Sequence, residues 1–233
     1  MKKAGFMSTN VSSRTVVYPD CDGQPLSENT LQFQWIMTIV GGLQAIFRDN
    51  PDVFIAGDLL WYPVEGDNTI RSAPDAMVAF GRPKGYRGSY IQHREAGVAP
   101  QVVFEVLSPG NRPGELARKL GFFNRYGVEE YYLIYPEEHE VDGWIRVGKN
   151  LQKIKDIARW VSPRLGTRFD QTDDDLRMIG PDGRAFETYE DLAHRADEER
   201  LRADEERLRA DEQRLRAERL AAKLRALGAD PDA

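Results

Sequence analysis

The sequence predicts an α/β domain whose core elements run α-β-β-β-α-β, followed by further short strands and a charged helical tail. Three observations carry that expectation. Residues 102–110, VVFEVLSPG, form a short continuous apolar run closed by Ser, Pro and Gly, the pattern of a strand buried on both faces. Helical apolar spacing occurs on either side of it, over about 27–47 and 113–126. From Arg195 onward the chain repeats RADEERL, RADEERL, RADEQRL with Leu201, Leu208 and Leu215 seven residues apart. The organisation expected is therefore a flexible arm over 1–22, one folded domain over 23–192, and a helical tail over 193–233.

Composition narrows the function classes. The chain has 233 residues, 41% of them hydrophobic, enough for one sizeable core, and 30% charged, much of that in the tail. A net charge of −6 gives no general attraction to a polyanion, so nucleic acid would have to meet a local basic patch. Cys21 is the only cysteine, which excludes an intrachain disulfide and a thiolate metal cage. His93, His139 and His194 lie far apart in sequence, which argues against a histidine metal site. The start, MKKAGFMSTN, has no apolar signal core, and no run approaches 18 apolar residues. A cytoplasmic protein with no membrane partner is expected.

In chain order, the first helix should start at Ser27 as N-cap and run about 20 residues to Phe47. Trp35, Ile36, Ile39, Val40, Leu43, Ile46 and Phe47 would mark its buried stripe. Glu28 then falls in its first turn, and reads either as a helix-start acid suited to the dipole or as an acid of a site. VFIAGDLLWYP is expected as one strand, followed by the turn PVEGDN. SAPDAMVAFGRP is a second strand with Asp75 at its start. GRPKGYRGSY is a basic, aromatic, Gly-rich loop bearing Arg82, Lys84 and Arg87. After the strand that carries Glu105, a helix over 113–126 should be stopped by Gly127, and EEYYLIYP should return as a buried strand. GWIRV, 151–160, GTRFD and LRMIGPDGRAF are expected as strands and hairpins that extend the sheet. Thr188 and Asp191 form a capping box for the last helix. Its Glu–Arg pairs at i,i+4 favour a solvated helix, and its single leucine per heptad makes at most a weak homodimer contact.

Glu105 is the residue that most requires a reason. An ionised carboxylate inside a buried strand is costly unless it is paired, protonated or bound to a metal. Asp75, on a strand expected to neighbour it, could converge with it on one hard divalent cation, with oxygens on the order of 3–5 Å apart. The plainer reading of Asp75 is a turn-forming acid after Pro74. Lys119 falls on the edge of the second helix's apolar face, either snorkelling to water or turned toward Glu105. Asp58 is a further acid in an apolar strand, without an assigned role.

PDAMVAFGRP, QVVFEVLSPGNRPGELARKLGFFNRYGVEEYYLIYP and GDLLWYPVEG are similar to the Uma-type restriction endonuclease family, within the PD-(D/E)XK nucleases, over roughly residues 18–191. That resemblance implies a restriction-endonuclease-like core with a mixed sheet, and a Mg²⁺-dependent endonuclease acting on DNA, with Mn²⁺ as a substitute. It implies Asp75 and Glu105 as metal ligands, together with the backbone carbonyl of Val106, Lys119 as catalytic lysine, and Glu28 as a further catalytic acid. DNA contacts would come from Arg82, Lys84, Arg87 and Arg112. One departure is visible: the superfamily's lysine two residues after the glutamate is replaced here by Leu107. The alternative is a catalytically inactive nuclease fold that binds DNA or protein.

Overall fold

The structure is a computed structural model that describes residues 16–21, 23, 26–108 and 113–226. Two compact units divide at Phe186 and Glu187. The first is built on a six-stranded mixed sheet. Its strands in spatial order are β1 (Val53–Gly57), β3 (Ala76–Phe80), β5 (Val102–Val106), β6 (Glu130–Tyr135), β7 (Glu140–Val147) and β8 (Asn150–Lys153). Within this sheet only β5 and β6 pair in parallel, and the crossover between them is α2 (Pro113–Tyr126). With α1 (Thr30–Ile46) at the front, the sheet elements follow the expected α-β-β-β-α-β order.

Strand alternation sorts the side chains onto two faces. Val53, Ala76, Val78, Val102, Phe104, Val106, Tyr132 and Ile134 pack with Ile36, Ile39 and Leu43 of α1. Phe54, Met77, Val103, Tyr131 and Leu133 pack with Phe123, Leu116 and Leu120 of α2. All five residues of β5 are buried, which is why its sequence is a continuous apolar run rather than an alternating one. Gly127, at φ +96°, closes α2 in a backbone region that β-carbon-bearing residues enter at a cost.

Several local expectations are corrected. The N-cap of α1 is Asn29, whose side chain accepts from the Gln32 N–H, and not Ser27; Glu28 therefore precedes the helix instead of standing in its first turn. VFIAGDLLWYP is broken in two, because Asp58 takes φ +45°, and the chain re-forms as the two-residue β2 (Trp61–Tyr62). That segment leaves the main sheet to pair in parallel with β4 (Tyr90–Ile91). Strands β7 and β8 extend the sheet as expected, whereas β9 (Arg168–Gln171) and β10 (Leu176–Ile179) form a hairpin of their own. Residues 16–20 of the expected arm are held against the domain: Tyr62 donates its hydroxyl to the Pro19 carbonyl at 2.7 Å, and Tyr18 meets the Tyr62 ring edge-on. Residues 1–15 of that arm lie outside the described residues.

The second unit is one helix, α3 (Tyr189–Ala226), opened by the Thr188–Asp191 capping box in both directions. Glu198 pairs with Arg202, and Glu205 with Arg209, at i,i+4. Leu201, Leu208 and Leu215 stay exposed, as one apolar residue per heptad implies. Among the described residues no helix is long and apolar enough to cross a membrane.

Candidate active site

Register brings the two carboxylates together. In the antiparallel pair β3–β5, Ala76 opposes Phe104, so one step outward Asp75 opposes Glu105 and both project onto the α2 face. Asp75 turns back along the strand end and accepts the Val106 N–H at 2.6 Å. Glu105, 2% exposed, receives the Lys119 ammonium from α2 at 2.6 Å on Oε2, while its Oε1 is buried with no hydrogen-bond partner. Helix α2 can deliver Lys119 because Leu116, Leu120 and Phe123 anchor its apolar stripe on the same face of the sheet. Leu107 packs in that same cluster, so the position two residues after Glu105 is apolar here, and the positive charge arrives from the helix instead.

The electrostatics follow from burial. Desolvation first, then repulsion by Asp75, push the Glu105 carboxyl up to about 8, against the attraction of Lys119. Burial also raises Asp75, to about 6, opposed by the Val106 N–H and by Lys119. For Lys119, burial works against the charge, but Glu105, Asp75 and Glu115 together leave its pKa raised, so it remains an ammonium. Two acids on facing positions, both shifted upward, behave as one titrating pair.

An all-oxygen pair with one orphaned oxygen fits a hard divalent cation that keeps several waters. Among the described residues no group of three or more His, Cys, Asp or Glu side chains could hold a metal, so the side-chain set is these two carboxylates. The Val106 carbonyl, expected as a further ligand, accepts the Gln32 side-chain amide at 2.8 Å instead.

The remaining site expectations divide. The Glu28 carboxylate accepts from the Ser108 hydroxyl, three residues beyond Glu105, and its N–H donates to Gln32 Oε1. It is thus tied to the end of β5. The loop bases are not brought to the carboxylates. They follow the far end of β3, whose five residues put ~17 Å of strand between that end and Asp75. Lys84 caps α1 through the carbonyls of Phe47 and Arg48, both at 2.7 Å. Arg87 pairs with Glu95 at 2.6 Å and lies over the Phe54 ring, and Arg82 sits 3.7 Å from the same Glu95. Arg112 lies outside the described residues. Asp58 is exposed at the break after β1, its N–H donating to Pro74 and Asp75 carbonyls. Sequence reasoning missed Gln32, whose only signal was an amide at a position the helical stripe buries.

A family described as "Uma2: Putative restriction endonuclease" matches residues 22–170, well over half of the chain. The chain belongs to the Uma2 family. The matched segment contains α1, the whole six-stranded sheet, α2 and both carboxylates. No curated protein matches the chain. Among solved structures, it is similar to one titled as a putative nuclease belonging to DUF820 from Anabaena variabilis ATCC 29413. The identity is 15%, the TM-score 0.43, and the match covers 57% of this chain and 72% of that one.

Proposed function

We propose that this Uma2 protein hydrolyses phosphodiester bonds in DNA with Mg²⁺, and that Mn²⁺ can substitute. The observation that carries the reading is the buried Glu105–Lys119 ion pair, with one Glu105 oxygen left unpartnered and Asp75 one step beyond the end of the β3–β5 register, next to it. Asp75 and Glu105 would hold the cation, which when bound supplies acidification of water and neutralisation of phosphate charge. Lys119 then has two tasks. Its ammonium is fixed on Glu105, so its remaining donors are aimed without reorganisation toward a non-bridging phosphate oxygen, where negative charge grows in the transition state. It also orients the attacking water by hydrogen bonding. Asp75 is in turn oriented by the Val106 N–H, which leaves its other oxygen for the site. Glu28 acts through Ser108 on the end of β5, and not at the phosphate. Arg82, Lys84 and Arg87 enter this reading only as contacts to DNA flanking the site.

The test is cleavage of supercoiled, linear and single-stranded DNA by purified protein in Mg²⁺ or Mn²⁺, with Glu105→Gln alongside. Cleavage by the wild type and its loss in Glu105→Gln supports the reading. Equal cleavage by both overturns it. DNA binding without cleavage of any form would support instead the non-enzymatic scaffold, which the apolar Leu107 favours.

A further inference from the structure

A second polar atom on the α2 face lacks a partner. Tyr131, on β6, is 1% exposed, and its hydroxyl is buried with no hydrogen-bond partner. Burying a hydroxyl in that state is costly relative to phenylalanine, so a hydroxyl at this position calls for a role. Its surroundings fix where it points. In the parallel pair β5–β6, Val103 opposes Tyr131 and Glu105 opposes Leu133. Tyr131 is therefore the diagonal neighbour of Glu105 on the same face, within reach of a side chain as long as tyrosine. The ring is clamped by Trp144, stacked at 5.1 Å, and by Phe123 at 5.2 Å, so the hydroxyl is held on a rigid arm. Burial first, then the charges of Glu105, Tyr135 and Asp75, raise the phenol far above its ordinary range, so it stays an O–H donor throughout the neutral range.

Two buried orphans thus lie on one face of the sheet: a carboxylate oxygen, Glu105 Oε1, and a phenol hydroxyl, Tyr131 Oη. They are not hydrogen-bonded to each other, and each needs a polar neighbour small enough to reach both. A water in the shell of a divalent cation held by Glu105 meets that requirement, donating one O–H to the carboxylate oxygen and the other to the phenol oxygen.

We infer that Tyr131 is a positioning residue of the cation site, orienting the cation's water shell and the Glu105 carboxylate through its hydroxyl. This rests on the Asp75–Glu105 site proposed above. A phenol in this role does not touch the scissile phosphate. It sets the affinity and hydration of the ion, and the metal-free fold gains nothing from the hydroxyl.

Mn²⁺ binding to the full chain, followed by calorimetry and by the electron paramagnetic resonance of the bound ion, tests this in wild type, Tyr131→Phe and Glu105→Gln. The expected result is Mn²⁺ affinity about tenfold weaker in Tyr131→Phe, with an altered spectrum of the bound ion, and binding lost in Glu105→Gln. The metal-free Tyr131→Phe protein should melt at the wild-type temperature or above it, because an unpartnered buried hydroxyl has been removed. Unchanged Mn²⁺ affinity and spectrum in Tyr131→Phe, with binding lost in Glu105→Gln, overturns the role of Tyr131 and leaves the site standing. Wild-type binding in Glu105→Gln removes the site itself, and the inference with it. A metal-free Tyr131→Phe protein that melts well below wild type shows that the hydroxyl has a structural partner, which also overturns the inference.

Discussion

Two glutamates on neighbouring strands are almost completely buried, and their surroundings differ in kind. Glu130, at the start of β6, is 0% exposed on the α1 face. Its Oε2 accepts from the Tyr132 and Ser162 hydroxyls at 2.8 and 2.5 Å, and its Oε1 from the Arg164 N–H at 2.9 Å. Trp160 extends the network by donating to the Tyr132 oxygen. Both oxygens are used, and two of the three donors come from the 160–165 segment that this carboxylate ties to the sheet. Glu105, on the α2 face, has one cationic partner, a second carboxylate directly opposite, and an oxygen with nothing to accept from. The first arrangement is closed, as a structural group must be in a low-dielectric interior. The second is incomplete in the way a binding group must be before its ligand arrives.

That contrast makes separable predictions. The largest effect belongs to Glu105→Gln: DNA cleavage in Mg²⁺ should fall at least ~10³-fold, on the scale of losing a principal electrostatic group of an active site, while the protein still folds. A turnover assay paired with a circular-dichroism melt checks both halves, and retained turnover would erase the distinction between the two acids. Next comes Lys119→Ala, expected to lower turnover by about 10²-fold without weakening Mg²⁺ binding, since removing a positive charge cannot repel the ion. Calorimetric titration that shows weaker binding would mean that Lys119 holds the carboxylates in place and does no more.

Glu130→Ala should act on stability instead, costing about 2–4 kcal/mol in denaturant unfolding by stranding two buried hydroxyls and the half-buried Arg164 N–H. A loss under 1 kcal/mol would show that the closed network contributes little and would weaken the comparison from the other side. A smaller effect is the pH dependence of the metal-free protein. The Glu105 and Asp75 carboxyls are raised to about 8 and about 6 in the folded state, from 4.5 and 3.8. Between those limits the folded protein retains protons that the unfolded chain has released, so the stability held below about pH 4 declines as pH rises toward 8. The melting temperature should therefore fall across that window in wild type, fall less in Glu105→Gln, and recover when Mg²⁺ is added at pH 8. The smallest effect is expected for deletion of the chain after Phe186, which should leave the melt of the first unit within about 0.5 kcal/mol, because one leucine per heptad buries little surface. A large destabilisation would show that the helix packs back onto its domain.

The same contrast explains what the sequence made legible. Glu105 stood out because a charge interrupts an otherwise apolar strand, and Lys119 because it breaks the apolar edge of a helix; both signals are local. The limits of α2 were equally local, set by Pro113 and Gly127. Glu130 was passed over in EEYYLIYP, because an acid at the mouth of a strand looks like a turn residue until Ser162 and Arg164 arrive from thirty residues away. Ser27 and Asn29 are both good cappers, and only the docking of Gln32 on Val106 makes Asn29 the cap. Register decided the rest. The break at Asp58 and the departure of β2 to pair with β4 depend on partners that no window of sequence contains.

Gln32 has a consequence for which substitutions the fold tolerates. Its one amide works at both ends, accepting the Glu28 N–H and donating to the Val106 carbonyl, both at 2.8 Å. Glutamate there would offer two acceptors and no donor, setting a carboxylate against a carbonyl. Leucine or methionine would suit the burial but abandon two main-chain groups, at about 1–3 kcal/mol each. Asparagine is one methylene short. In a saturation library scored for folded protein, position 32 should therefore be as selective as the hydrophobic core around it, yet select for a polar residue. A helix position whose substitution profile rejects both apolar and charged residues is how such a two-ended tether would appear to a geneticist with no structure in hand.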